Sequence, residues 1–230
     1  MAGKIEKALY GPSMLEVFLG AILGLASGLL VACIYLVFKP VLTVKELPKE
    51  QPRGAVYYIP GSESSAKGAA WQNKQKQFLD GKSVQVNEDE LNVWASSLKT
   101  PAAPTAAKPG DAASKAPPPT GIVIPSKPNF KMAGDKLQIG MKCTLNWSGL
   151  MTDVTLQSTG NFRKEGDTYI YVPETLYLGS CPLHLLPAAA GSFVSFVTNK
   201  QTVPDEFRAA WHNLGGVVVV GGALKLIAAQ

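Results

Sequence analysis

The sequence predicts an α+β protein in which a single N-terminal transmembrane helix precedes a curved antiparallel sheet packed against two or three helices. Three observations support this prediction. Residues 14–38 are an apolar run whose only charged member is Glu16. Residues 136–147 alternate between apolar and polar or small side chains, which is typical of a strand with one buried face. Residues 87–99 and 204–215 instead place apolar side chains at helical spacing.

The apolar run is long enough to cross a membrane, because a spanning helix needs about 20 residues. Lys39 and Pro40 end the run, since proline does not continue a helix easily. The stretch "LVAC", which ends at Cys33, resembles the bacterial lipobox, in which the cysteine is lipidated and becomes the new N-terminus. The residues after Cys33 stay hydrophobic, whereas a mature lipoprotein usually begins with small polar residues. We therefore expect a retained anchor, with lipidation at Cys33 as the alternative.

A row of small residues predicts how the anchor packs. Gly20, Gly24 and Gly28 are spaced four residues apart, and Ala32 continues the row on the same side of the helix. Small residues let two helix backbones approach closely in lipid. The row is a candidate surface for a homodimer or a partner helix, although glycine is also simply frequent in transmembrane helices.

Two features give opposite predictions for the orientation of the anchor. Basic residues are more numerous after the helix than before it: Lys4 and Lys7 precede it, and Lys39, Lys45, Lys49 and Arg53 follow it. By the positive-inside rule, this count would leave the C-terminal part in the cytoplasm. A short N-terminal tail, a Pro/Ala-rich linker and a candidate cysteine pair favour an exported domain instead. We expect the C-terminal part outside the cytoplasm, in the periplasm or the extracellular space.

The chain divides into six segments. A segment rich in proline and alanine cannot bury enough apolar surface to fold, and it predicts a disordered linker. The α/β segment before it is too small for a sizeable core, so we expect it to pack on the main domain. The segments are a tail (1–13), the transmembrane helix (14–38), a stalk (39–53), the small α/β segment (54–99), the linker (100–121) and a β-rich α+β domain (122–230).

The small segment and the C-terminal third are predicted to supply helices. Residues 69–81 and 87–99 have helical spacing, and Asn87 with Glu90 forms a capping-box pattern at the start of the second helix. Two further apolar stretches, 181–200 and 204–215, are predicted to cover the sheet as helices. Residues 217–228 form either one bulged strand or a tight strand pair, because Gly221 and Gly222 permit both.

Two cysteines of the soluble part are a candidate disulfide. Cys143 and Cys181 lie in or beside strands that we expect to be neighbours, and exported compartments favour disulfides. Two buried free thiols are the alternative. His184 and His212 lack the spacing of a zinc site, so we predict no metal and no cofactor.

Enzymatic and nucleic-acid-binding functions have little support in the sequence. Ser64 and Lys67 match an S-x-x-K pattern, but the motifs that accompany it in penicillin-recognising enzymes are missing. The net charge of +5 is spread over scattered lysines, whereas nucleic-acid binders concentrate basic residues into a patch. We expect a non-enzymatic protein and no nucleic-acid partner, with a serine hydrolase as a remote alternative.

The order of motifs resembles the YpmS-like membrane-anchored proteins, whose role is uncharacterised. In that family an E-x-L-N helix follows the anchor and precedes a β-rich region, and a G-x-L-P stretch introduces a helix. Glu90, Leu91 and Asn92 match the first motif loosely, because Glu90 directly precedes Leu91, and Gly179 and Pro182 match the ends of the second, where Cys181 stands in place of the leucine. The likeness covers about residues 84–200, and the long linker departs from it. The resemblance implies an anchored extracytoplasmic domain with structural rather than chemical motifs.

The sequence is compatible with two functions. The first is a scaffold or assembly role in a bacterial cell envelope, suggested by the glycine row and by the lack of catalytic groups. The second is a lipid- or hydrophobic-ligand-binding module, because long alternating strands with apolar cover segments can leave an apolar groove. An open apolar cleft would favour the second function, and a filled interior would count against it.

Overall fold

The computed structural model describes residues 12–50, 52, 54–64, 68–97, 123–147, 150–186, 191 and 203–229. The α-helices in these ranges are α1 (Met14–Phe38), α2 (Gly68–Leu79), α3 (Glu88–Ser97) and α4 (Asp205–His212). The strands are β1 (Leu42–Thr43), β2 (Tyr57–Tyr58), β3 (Val84–Asn87), β4 (Val123–Pro125), β5 (Asn129–Ala133), β6 (Lys136–Trp147), β7 (Leu150–Glu165), β8 (Thr168–Leu178), β9 (Cys181–Pro182), β10 (Leu214–Val220) and β11 (Ala223–Ala228). The predicted α+β fold with one N-terminal apolar helix is confirmed.

The main sheet is the antiparallel meander that the alternating pattern predicts. Its strand order is β4-β6-β7-β8-β9, and β5 also pairs with β6. The hairpin turn between β7 and β8 contains Gly166 at φ +60°, a backbone conformation that glycine adopts at no steric cost. The β7–β8 register shifts between Thr159 and Gly160, and such a bulge bends the strand that carries it.

A second sheet joins the two ends of the soluble part. Its order is β10-β11-β3, so the small segment at 54–99 contributes a strand next to the C-terminal hairpin. Residues 217–228 form a tight pair rather than one bulged strand. Gly221 and Gly222 have φ of +62° and +72°, which suits the two-residue turns that match the twist of a hairpin.

Two sequence predictions differ from the structure. Residues 181–186 are not the start of a helix: they form β9 and a single 3-10 turn at Leu183–Leu185, because Cys181 pairs with Leu178 across a tight turn. Residues 187–190 and 192–200 lie outside the described residues, as does the linker at 100–121. The segment 39–53 is not wholly a stalk, since Leu42–Thr43 pairs in parallel with Tyr57–Tyr58.

The E-x-L-N residues hold α3 in place. Glu90 accepts a hydrogen bond from the Asn87 backbone N–H at 2.9 Å, as the capping-box pattern predicts, and it forms an ion pair with Lys74 at 2.7 Å. The buried Asn92 amide donates to the carbonyls of Ser62 and Phe130, and its oxygen accepts from the Phe130 N–H. These contacts tie α3 to β5 and to the segment before α2, so the matched residues have structural roles.

The interior contains two apolar clusters. The larger one lies between the three-stranded sheet, helices α2 and α3, and the first part of β6, and it contains Trp71, Phe78 and Leu137. The second cluster consists of buried side chains from β6, β7, β8 and β9. Cys33, Leu36 and Val37 of α1 pack against this second cluster, which brings the apolar helix onto the sheet.

An apolar cavity between the anchor helix and the sheet

The C-terminal end of α1 contacts the β8–β9 turn directly. The backbone N–H of Ser180 donates to the carbonyl oxygen of Leu36 at 2.9 Å, and the Ser180 hydroxyl donates to the carbonyl of Lys39 at 3.3 Å. Gly179 has φ +59°, and a Cβ there would lie 2.0 Å from the carbonyl oxygen of Val37. The close approach of the two backbones therefore requires glycine at position 179.

The two elements line a partly open cavity beside this contact. Its volume is about 680 Å³, within the range that ligand pockets of proteins usually have. The described lining residues are almost wholly apolar and include no charged side chain: Leu30, Cys33, Ile34, Val37, Phe38, Leu145, Thr152, Cys181, Leu183 and Leu186. Such a lining suits a hydrocarbon, because it offers neither an ionic partner nor more than one hydroxyl to a polar ligand.

The rest of α1 does not pack on the protein. Its best membrane-spanning window has a mean hydropathy of 2.5 and is 0% buried, whereas a core helix of this length would be mostly buried. Ser13 and Glu16 form a capping box at its first turn. The helix is long and apolar enough to cross a membrane.

The glycine row lies away from the docked side of α1. At 3.6 residues per turn, Cys33, Leu36 and Val37 are at least about 120° around the helix from Gly24. A Cβ added at Gly20, Gly24 or Gly28 would meet nothing within 4 Å. Within the part of the chain that the structure describes, the row therefore has open space beside it, while a different face of the same helix supports the sheet.

The three cysteines are free thiols in the structure. The predicted Cys143–Cys181 bond is not formed, and strands β7 and β8 separate the strands that carry the two residues. Burial raises the pKa of Cys143 to about 12, so its thiol is inert near neutral pH. The neighbour of Cys181 is instead Cys33, and both line the cavity.

The remaining candidate residues do not form a chemical site. His184 places Nδ1 3.1 Å from the carbonyl oxygen of Leu176 and packs edge-on against Tyr177, while His212 is exposed at the end of α4. In the described ranges, no three His, Cys, Asp or Glu side chains are grouped so that they could hold a metal ion. Ser64 lies in an irregular segment before α2, and Lys67 is outside the described residues.

The sequence analysis allowed for an apolar groove beside the sheet, but it did not predict that α1 forms one wall of the cavity. Helix α1 is apolar on every side, so its periodicity cannot indicate which side docks on the sheet. Gly179 and the short "GSC" turn were the only local indication, since glycine at a strand end often marks close backbone approach. Comparison of the chain with protein families, with curated proteins and with solved structures gives no match.

Proposed function

We propose that the chain is a membrane-anchored, non-enzymatic module that binds one acyl chain of a membrane lipid in the cavity between α1 and the main sheet. The observation that carries this proposal is the apolar cavity of about 680 Å³ with the anchor helix as one wall. The scaffold role predicted from the sequence rests on the glycine row and on the lack of catalytic groups, and the described residues show no comparable site for it.

The length of the undocked part of α1 supports a lipid as the ligand. Residues 14–32 precede the docked turns and extend about 28 Å at 1.5 Å per residue. This length is close to the roughly 30 Å of a hydrocarbon core. The domain would therefore rest on the membrane surface, with the cavity beside the headgroup ends of the lipid chains. A lipid could then insert a chain without crossing water.

The proposed location is the outer surface of a bacterial cell membrane, with the sheet outside the cytoplasm. The Pro/Ala-rich segment at 100–121 supports the exported orientation, whereas the count of basic residues around the helix favours the opposite one. Fusion of alkaline phosphatase to Gln230 tests it directly, because that enzyme is active only in an oxidising compartment. An inactive fusion of normal abundance would place the domain in the cytoplasm and contradict this part of the proposal.

Photolabelling tests the lipid site. The full-length protein is reconstituted in phosphatidylcholine vesicles that contain a phospholipid with a diazirine at the end of one acyl chain. We expect label on residues of the domain that line the cavity, such as Leu145 and Leu183. Thr152→Trp should abolish this label by filling the cavity. Met151→Trp is the matched control, because Met151 is 52% exposed and does not line the cavity.

A second photochemical experiment identifies any competing occupant. Benzoylphenylalanine at position 145 reacts with whatever lies in the cavity. A cross-link to lipid supports the proposal. A cross-link to residues 187–202 of the same chain, with no lipid label, would show that the protein fills its own cavity and would overturn the lipid-binding function.

Self-association through the glycine row is the second candidate function. The observation that favours it is the free space beside Gly20, Gly24 and Gly28 on the side of α1 away from the sheet. Gly24→Leu should convert a dimer to a monomer in native mass spectra, while Ala26→Leu on another side of the helix should not. A monomeric wild-type protein in mild detergent would exclude this candidate.

A further inference from the structure

Two thiols from different parts of the chain meet at the junction of anchor and domain. Cys33 lies one turn before the end of the docked side of α1, and Cys181 is the first residue of β9. Both side chains line the apolar cavity, and Cys33 packs against the cluster that contains Cys181. Cys181 is 1% exposed, whereas Cys33 is partly accessible.

The backbone contact next to these thiols fixes their relative position. Ser180, which precedes Cys181, donates its N–H to the Leu36 carbonyl at 2.9 Å. Leu36 follows Cys33 by three residues, so the two lie on the same side of the helix. The two backbones are thereby held side by side, as a disulfide requires.

The titration of Cys181 reflects the same proximity. Burial, followed by the charge and hydrogen bonding of the Cys33 thiol, raises the pKa of Cys181 to about 11. A shift of this origin requires direct contact between the two sulfur-bearing side chains. Cys143 has no comparable neighbour among the described cysteines, and two strands separate it from β9.

We propose that Cys33 and Cys181 form a disulfide that joins the anchor helix to the domain, in place of the Cys143–Cys181 pair that the sequence predicts. This inference uses the exported orientation of the proposed function, since disulfides persist in oxidising compartments, but it does not depend on a bound lipid. The bond would hold the sheet on the helix and fix one wall of the cavity.

Thiol–disulfide exchange supplies a balanced route to the bond. The Cys33 thiolate attacks a protein or small-molecule disulfide, forms a mixed disulfide and releases one thiol. The Cys181 thiolate then displaces the second thiol and closes the Cys33–Cys181 bond. Two cysteine thiols lose two protons and two electrons, and the oxidant disulfide leaves as two thiols. The more accessible Cys33 is the group that reacts first.

Thiol mapping of the full-length protein tests the pairing. The protein is reduced in detergent, oxidised with glutathione disulfide, unfolded in urea so that buried thiols can react, blocked with N-ethylmaleimide and digested without reduction. We expect wild type and Cys143→Ser to lose two of their alkylatable thiols and to give a peptide that links positions 33 and 181. Cys33→Ser and Cys181→Ser should not give this linked peptide. If a serine variant fails to fold, the corresponding alanine variant replaces it.

Two results would overturn the inference: a linked peptide that joins positions 143 and 181, or three thiols that remain alkylatable after prolonged oxidation at pH 9. The experiment is independent of the lipid assay, because purified protein is oxidised whatever its orientation in cells. A Cys33–Cys181 bond without photolabelled strands would refute lipid binding and leave the disulfide standing. Photolabelled residues of the domain in a protein that lacks the Cys33–Cys181 bond would support lipid binding and refute the disulfide.

Discussion

The hydrogen bond from the Ser180 N–H to the Leu36 carbonyl oxygen, at 2.9 Å, joins helix α1 to the sheet. The last four carbonyls of a helix have no partner within the helix, and an unpaired one near apolar surface is costly. Here the Tyr35 carbonyl accepts from Lys39, and the Leu36 carbonyl accepts from the sheet. The end of α1 is therefore completed by the domain, which makes their docking a specific contact.

We predict that Gly179→Ala separates α1 from the sheet. The new Cβ would lie 2.0 Å from the Val37 carbonyl oxygen, so the helix end must move away. Movement exposes Cys181, which is buried at this contact. In the reduced protein, maleimide should then label Cys181 at least about ten times faster than in wild type, the factor that a loss of 1.4 kcal/mol of docking free energy produces.

Gly166→Ala is the matched control for this variant. Gly166 has nearly the same φ, +60° against +59°, but a Cβ there would meet nothing within 4 Å. Both variants carry a backbone strain of about 1 kcal/mol, and only Gly179→Ala carries the clash. Equal labelling of Cys181 in the two variants would show that the docking contact does not protect it.

We predict that Asn92→Ala destabilises the domain by about 3 kcal/mol, because it leaves several buried backbone groups without a partner. Its amide bonds with Ser62 and with both polar groups of the Phe130 backbone. Ser97→Ala is the control, since its hydroxyl bonds only the Trp94 carbonyl at an exposed site. Urea unfolding gives both values, and similar midpoints for the two variants would contradict the structural role of Asn92.

Two glutamines on neighbouring strands should respond oppositely to replacement by methionine. Gln157 is only 8% exposed, and its amide has no hydrogen bond among the described residues. Gln157→Met should raise the unfolding free energy by about 1 kcal/mol, because it removes an unsatisfied buried group. Gln138→Met should lower it by a similar amount, because the Gln138 amide donates to the Ile59 carbonyl. A destabilised Gln157→Met variant would refute the account of Gln157.

The elements that the sequence predicted are those whose side chains alternate or repeat with one clear period. The strands β6 to β8 and the helices α2 and α3 are of this kind, and their bounds differ from the predictions by a few residues. Residues 181–186 were predicted as helix because their apolar spacing fits a helix as well as a strand. Cys181 pairs with Leu178, and this pairing favours the strand over the helix. The pairing depends on the turn at Gly179.

The candidate site was predictable only in part. The sequence indicated Cys33 as a candidate for lipidation and Cys181 as a candidate for a disulfide with Cys143. It did not predict that these two residues meet. Their meeting depends on the docking of a helix whose surface is uniformly apolar, so no local pattern specifies it. The family resemblance includes Asn92, but it does not indicate what the side chain contacts. Its hydrogen bonds reach a strand 38 residues away, and no local pattern in the sequence predicts them.

Alkaline pH should unfold the domain through its buried phenols. Burial raises the pKa of Tyr171 to about 12 from its ordinary value of 10.0, and burial raises that of Tyr58 similarly. Between pH 10 and 12 the unfolded chain has released these protons and the folded chain has kept them. Folding stability is therefore fully present below pH 10 and falls as pH rises, by about 2 kcal/mol for Tyr171 and by less for the more exposed Tyr58, where solvent screens the charged form.

Tyr171→Phe should flatten this pH dependence. The variant loses the hydrogen bond from the phenol to the Leu137 carbonyl at 3.0 Å, so it should be about 1 kcal/mol less stable than wild type at pH 7. Because it has no proton to release at this position, the difference should shrink and then reverse as pH approaches 12. Urea unfolding at pH 7, 10 and 11.5 measures the crossover. A constant difference across this range would mean that Tyr171 titrates alike in the folded and unfolded chains, and the buried phenol would then not be the source of alkaline sensitivity.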